Sequence, residues 1–525
     1  VENFQISTLD IIIIIGYFTI VFLIGLIVAR RTKEGDDLFL AGRSLAWGAI
    51  GFSLFASNIS STTLIGLSGQ AYATGISVSN YEWITTLLLV FMAIYFIPFY
   101  IKSRISTIPE FLEKRFNAAC RKYFSVITIF LSIMVDTAGG LFAGAIVLKV
   151  FIPDLVIWQT CLVLAVFAGL YTAAGGLAAV VYTDVLQAVV LIVGTSILSY
   201  IVFSRFDFSW EQATAAIPEG NLSVIRPLDD PALPWLGTLI GAPVLGFYYW
   251  CTNQYIVQRV LGARNLQHAR WGAMLGGLLK LPVLFIMVLP GAFALSIFPE
   301  LENPDLVFPT MVANLLPTGI TGLVLAGLVA AIMSSIDSAL NSGSTLVVLD
   351  FIKPKRPDLS EKDTVKYGRI ATLTFMTIAA VVAPLIAYAG GLFKYIQEAF
   401  SYIVPPVVAI FIVGLFWARG NGKGALRTLI VGHSVSAVIF LLTKLEFITL
   451  HYTIVAGLNT IFCAFLFYAF SMASAPPPEE KVKGLTWQHR PIGASTATAL
   501  PWYKDYRVHS AVLVVLTVLL VITFW

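Results

Sequence analysis

Apolar residues run along this chain in long, evenly sized stretches. A helix needs roughly 20 apolar residues to cross the hydrocarbon core of a bilayer. Fourteen stretches fit, near 9–29, 45–74, 79–101, 123–150, 156–174, 184–203, 234–257, 271–297, 317–350, 366–389, 395–418, 424–443, 447–472 and 508–525. The pattern predicts an all-α integral membrane protein of about 14 transmembrane helices. The first run is too long for a cleaved signal peptide and leads straight into further spans.

Two of the runs are interrupted, one by polar residues and one by glycine and proline. In SLFASNISSTTLIGLSGQ, residues 53–70, the middle is almost all hydroxyl and amide: Ser57, Asn58, Ser60, Ser61, Thr62 and Thr63. Uncharged polar side chains in a membrane helix either glue helices together or mark a helix broken at midplane, whose freed carbonyls face a watery cavity. So many in one span, with Gly66 and Gly69 beyond them, fit the break. The seventh run, GTLIGAPVLGFYYWCTNQYIVQR, offers a second break at Gly241, Pro243 and Gly246. Breaks five spans apart predict a five-plus-five inverted-repeat core containing two broken helices. The organisation expected is a first helix and cytoplasmic loop (1–44), a transport core (45–203 and 234–418), and C-terminal helices (419–525) with a cytoplasmic linker near 473–507.

Composition supports the membrane setting: 58% of residues are hydrophobic, 12% are charged, and mean hydropathy is +0.86. A soluble domain carries about 25% charged residues. Basic residues stay in cytoplasmic loops, and all but six of the 33 fall in odd-numbered loops, beginning with Arg30, Arg31, Lys33 and Arg43. Even loops carry acids such as Glu300, Glu302 and Asp305. An even number of spans with both termini outside follows, and APPPEEKVKG reads as a mobile cytoplasmic linker. Among the six exceptions, Lys280 lies about ten residues inside its span, or roughly 15 Å at helical rise. A lone ammonium there implies a partner or a cavity. Asp136, deep in the fourth span, either pairs with Lys280 or binds a substrate hydroxyl.

The chemistry points away from enzymes. Four scattered cysteines and five scattered histidines form no metal or disulfide pattern, and no nucleophile elbow or phosphate loop is present. Asp184 with Asp337 would be the best intramembrane catalytic pair, but neither has a histidine or cysteine beside it. A channel would line a continuous pore rather than break two antiparallel helices. In LAGLVAAIMSSIDSALNSGS, Ala331, Ser334 and Ser335 share one helical face. Two hydroxyls with carbonyls from a neighbouring break make an uncharged, all-oxygen cage suited to a hard cation, sodium being the natural one; serine packing between close helices is the alternative.

Several motifs together resemble the solute:sodium symporter family, and within it the bacterial sodium/glucose (galactose) cotransporter branch: DDLFLAGRSLAWGAIGFSLFASNIS, SNYEWI, TIPEFLEKRF, GGLAAVVYTDVLQ, FYYWCTNQYIVQR, AAIMSSIDSALNS and FKYIQE, in family order over nearly the whole chain. The resemblance implies a sodium-coupled importer of a small neutral polar solute, most readily a monosaccharide, working by alternating access. It implies a sodium site at the carbonyls of Ala56, Ile59 and Ala331 and the hydroxyls of Ser334 and Ser335. Its sugar site would take Asn58, Ser60, Glu82, Thr85, Lys280 and Gln397, with Tyr249 stacking as inner gate and Trp250 beside it. Leu67, Tyr81 and Phe393 match outer-gate positions. Some members hold a second sodium at the place of Asp184, Asp337 and Ser338; here that set is either a second cation site, an exit relay, or a structural network. Thr63 and Gly246 replace longer hydrogen-bonding residues of sugar-transporting relatives, which leaves an inositol or another polar solute open. Sodium, the solute and the bilayer are the partners expected, and a bacterial inner membrane is the setting favoured.

Overall fold

A computed structural model describes residues 6–29, 39–152, 154–388, 392–489 and 501–525. Arg30, Arg31, Lys33 and the start of the DDLFLAGR motif lie outside these residues, as do the side chains of Ser61 and Thr62. Within them most residues are helical and no strand is present. In chain order the main elements are α1 (Thr8–Ala29), α2 (Trp47–Asn58), α3 (Ser61–Thr74), α4 (Ile76–Lys102), α5 (Ala118–Phe151), α6 (Ile157–Ser204), α7 (237–252), α8 (Gln254–Leu261), α9 (Leu266–Ile297), α10 (Ile320–Lys355), α11 (Glu361–Tyr388), α12 (Leu392–Ile403), α13 (Pro405–Phe416), α14 (Gly422–Lys444), α15 (Tyr452–Met472) and α16 (Tyr506–Thr523).

Among the described residues, ten helices are long and apolar enough to cross a membrane, or up to twelve if the bent pairs α2/α3 and α12/α13 each count as one span. The expected fourteen are therefore not reproduced by that measure. The fifth expected span is an apolar stretch, Ile157–Val166, at the head of one continuous 48-residue helix, α6. The AAGGLAAVV segment holds small residues without a proline or a charge, and no signal strong enough to end the helix. The seventh expected span is divided into two short helices.

The first break matches its expected place: α2 and α3 meet at 53° across Ile59 and Ser60. The second does not. Gly241, Pro243 and Gly246 lie inside α7, and the chain leaves helical geometry at Asn253, whose φ and ψ of −70° and 125° are extended. A π-turn, Gly237–Gly241, immediately precedes the segment that Pro243 opens. The wider turn takes up the missing proline N–H and its ring, so the proline kinks rather than breaks the helix. A third bend, of 54°, falls between α12 and α13 at Pro405.

α10 is the most enclosed of the spans, 83% of its apolar window being buried, and it packs on α6, α5 and α2. Its serine-rich face therefore looks into the bundle. α1, α14 and α16 are peripheral, with most of their apolar residues turned outward. The linker expected to be mobile is docked as far as it is described. Lys481 Nζ donates to the Glu113 carbonyl at 3.0 Å and Trp487 N–H to the Leu415 carbonyl at 2.8 Å, while Val482 and Leu485 are buried. Those apolar residues, hidden in a polar stretch, supply the anchors. Residues 490–500 of the linker lie outside the described ones.

Candidate functional site

The break between α2 and α3 redirects two backbone donors. In a continuous helix the Ser60 N–H would reach the Ala56 carbonyl and the Thr63 N–H the Ile59 carbonyl. Instead Ser60 N–H goes to the Asn58 carbonyl at 2.8 Å and Thr63 N–H to the Ser60 carbonyl at 3.1 Å. Thr63 Oγ1 also donates to the Asn58 carbonyl, at 2.5 Å. The break thus releases the carbonyls of Ala56 and Ile59 from their helical partners.

α10 supplies the opposite wall. Ser334 Oγ donates to Asp184 Oδ1, and Ser335 Oγ to the Ala331 carbonyl at 2.9 Å. Asp184, on α6, takes Ser57 Oγ at 3.1 Å and Ser53 Oγ at 2.5 Å on its other oxygen. One carboxylate therefore ties α2 to Ser334 of α10. Hydroxyls, released carbonyls and a nearby carboxylate form a donor set of hard oxygens, which is the chemistry a sodium ion requires.

Asp184 also has a partner the sequence reading placed elsewhere. Arg259, counted there with the cytoplasmic loop cations, is 1% exposed on α8. Its Nη2 donates to Asp184 Oδ2 at 3.1 Å and to Ser338 Oγ at 2.6 Å, its Nε to Ser53 Oγ at 2.7 Å, and its Nη1 to the Tyr255 carbonyl. Ser338 in turn donates to the Ser334 carbonyl at 2.6 Å. Asp337 is buried on the same helix. The polar spacing of Ser53 and Ser57, one turn apart, was the sequence signal that a charged group sits against α2.

Beside this cluster is a cavity of about 110 Å³. α2 and α3 present Asn58, Ser60 and Thr63 to it, α4 presents Tyr81, Glu82 and Thr85, and α12 presents Phe393 and Gln397. Tyr249 and Trp250 come from α7, Ser335 from α10 and Asp136 from α5. Lys280 sits immediately behind the wall. It is fully buried and donates to Glu82 Oε2 at 2.5 Å and to Asn58 Oδ1, with the Trp250 ring 5.5 Å away. The partner of Lys280 is thus Glu82, not Asp136. The nearer carboxylate takes the ammonium because α4 and α9 pack side by side. Glu82 is buried and bonded, so it is not a carboxylate facing water at an interface. Thr85 Oγ1 donates to the Tyr81 carbonyl at 2.9 Å, within its own helix.

Aromatic rings close the cavity at both ends. Tyr81 and Phe393 meet edge-on at 5.5 Å, and Tyr81 Oη lies 3.3 Å from Tyr452 Oη. Phe393 also lines a second cavity, of about 810 Å³, that reaches Gln70, Lys149, Glu302, Asp305 and Lys394. Phe393 is the divider between the two. A Cβ at Gly66 would stand 2.9 Å from the Phe393 ring, so only glycine lets the ring lie against α3. Leu67 is buried in the packed core rather than on either cavity. At the other end Tyr249 Oη is bonded to Tyr255 Oη, and its ring stands 5.2 Å from Trp250. The smaller cavity is below the roughly 300–1,000 Å³ usual for ligand pockets, so the site is contracted between its two aromatic closures.

The sodium:solute symporter family model matches residues 38–432. The chain is 34% identical to the zebrafish (Danio rerio) sodium/glucose cotransporter 4, over 93% of this chain and 82% of that one. It is 33% identical to the rabbit (Oryctolagus cuniculus) sodium/glucose cotransporter 1, over 92% and 81%, and 35% identical to the human sodium/myo-inositol cotransporter 2, over 92% and 79%. Among solved structures, a substrate-bound, outward-open sodium-coupled sialic acid symporter superposes with a TM-score of 0.77 at 20% identity, covering 90% of this chain and 99% of that one. A nucleobase-cation-symport-1 family transporter in a closed conformation gives 0.57 at 16%, covering 85% and 97%. At these identities the structural likeness speaks to the fold.

Proposed function

The chain belongs to the sodium:solute symporter family, and from that premise we propose that its contracted cavity takes a monosaccharide or an inositol. It is a sodium-coupled transporter of the membrane and not an enzyme. The observation that carries the reading is the α2/α3 break, which frees the Ala56 and Ile59 carbonyls at a helix tied through Asp184 to Ser334 of α10, and presents Asn58, Ser60 and Thr63 to the adjoining cavity. Ion and solute thus share one broken helix. Sodium bound at Ala56, Ile59, Ala331, Ser334 and Ser335 would fix the break and with it the solute-facing side chains, which is a direct route for coupling.

Solute recognition rests on complementary groups. Glu82 accepts, Lys280 donates, Asn58 and Gln397 do both, and Tyr249 offers a flat face for the C–H surface of a ring. Tyr81 and Phe393 act as the outer gate and Tyr249 as the inner one. The inverted repeats run over 45–203 and 234–418. Charge alternation supports basic loops on the cytoplasmic side and both termini outside, in an inner or plasma membrane; the bacterial setting rests on the sequence alone, since the relatives named above are vertebrate. Uptake into proteoliposomes from sodium against potassium buffer, with a panel of hexoses, inositols, amino acids and carboxylates, tests the reading. Sodium-dependent uptake of a hexose or inositol is expected. Sodium-dependent uptake confined to a carboxylate would overturn the solute class.

A further inference from the structure

Asp136 is the acidic residue on the solute cavity without a counter-ion among the described residues, the neutral Asn253 amide standing beside it. Its side chain lines the cavity, and its Oδ2 is buried with no hydrogen-bond partner among the described residues. The other charges are committed: Lys280 is bonded to Glu82, and Arg259 to Asp184. The remaining polar groups are largely turned to their own backbone. Thr63 donates to the Asn58 carbonyl, Thr85 to the Tyr81 carbonyl and Ser335 to the Ala331 carbonyl. A desolvated carboxylate without a cation is costly, and buried charges are ordinarily paired. An ionised carboxylate is also an acceptor only, so its partner must be a donor.

The walls around it narrow the chemistry of that donor. Tyr249, Trp250, Tyr255, Phe393 and Phe400 line the same cavity. Aromatic faces attract cations as well as apolar ring surfaces, most strongly where water is excluded. A solute hydroxyl could donate to Asp136 but would leave the charge uncompensated. A protonated amine satisfies the hydrogen bond, the charge and the aromatic wall together.

We propose that Asp136 is a specificity determinant of the solute site, and that among sugar-sized solutes it selects those bearing a protonated amine. This rests on the sugar-sized reading of the site given above. The test is binding to the purified full chain in sodium and in potassium buffer, at a pH below the amine pKa, using two matched pairs: D-glucosamine against D-glucose, and D-galactosamine against D-galactose. The expected result is sodium-dependent binding in which at least one amine is tighter than its neutral partner by about tenfold or more, the usual size of a charge-assisted hydrogen bond. Asp136→Asn should collapse that ratio toward one. Sodium-dependent binding of the neutral hexoses that equals or exceeds that of the amines would overturn the selection and leave the sugar reading standing. The absence of sodium-dependent binding by all four would overturn the selection and the monosaccharide reading together, leaving the inositol as the solute. Should Asp136→Asn fail to fold, the wild-type ratio alone decides.

Discussion

Glu82 and Lys280 bind each other before they bind any solute, so neither can be replaced alone without leaving a buried charge. Breaking such a pair from one side costs about 3–5 kcal/mol. Glu82→Gln and Lys280→Met should each lower the melting temperature and weaken solute binding more than tenfold. The double variant should regain stability but not affinity, because the charges are gone together while the solute's donor and acceptor remain missing. A double variant whose loss equals the sum of the two single losses would show that the pair adds nothing to the fold. Ser335 gives a cleaner reading of the ion. Its hydroxyl is bonded to a carbonyl of its own helix, whereas that of Ser334 holds Asp184. Ser335→Ala should raise the sodium concentration for half-maximal uptake several-fold with the fold intact, and unchanged sodium dependence would remove that hydroxyl from the ion site. At this scale the sequence revealed needs more readily than partners. That Lys280 required a counter-charge followed from its depth, but choosing Glu82 over Asp136 needed the packing of α4 on α9. Arg259 was invisible for a different reason: six residues beyond the chain break, it reads as the first cation of a loop, and only the tertiary structure buries it against Asp184.

The helices show where local signals mislead. Hydroxyl clustering located the α2/α3 break correctly, because a run of side chains that compete for backbone groups weakens the helix itself. Glycine and proline did not locate the second. Pro98, Pro243 and Pro290 each open a helical segment just after a π-turn, and the chain continues through all three. The true break is at Asn253, whose side chain accepts from the Tyr255 N–H and caps α8. Replacing an asparagine cap by alanine costs about 0.5–2 kcal/mol. Asn253→Ala should therefore lower the melting temperature and slow uptake, since α8 carries Tyr255 and Arg259 into the site. Pro243→Ala should restore the missing donor with little effect on either. Melting and uptake measured in parallel check the contrast, and a larger loss from Pro243→Ala than from Asn253→Ala would return the break to the proline. The long helix α6 failed the opposite way: an Ala- and Gly-rich stretch looked like a turn between two spans but holds helical geometry from end to end.

For the molecule as a whole, hydropathy placed the chain in a membrane and the paired breaks pointed to its fold, but neither could say how many ions each cycle carries. That number decides what the transporter can accumulate. One sodium falling through 100 mV supplies about 2.3 kcal/mol, enough for roughly 50-fold solute accumulation at about 1.4 kcal/mol per decade. Two would supply about twice that, or roughly 2,000-fold. The second site proposed at Asp184, Asp337 and Ser338 has Arg259 within it. Asp184 Oδ2 already accepts from Ser53, Ser57 and Arg259, and Ser338 accepts from the same guanidinium. A second sodium would have to enter by exchange with the arginine, giving an ion site that is opened rather than standing ready. Sodium activation of uptake should then be sigmoidal, with a flux ratio of two sodium ions per solute. Asp184→Asn should reduce it to a hyperbola. A hyperbolic wild type with a one-to-one ratio would remove the second ion, leave Asp184 and Arg259 as a structural bond between α6 and α8, and hold the accumulation driven by that voltage alone to the lower figure.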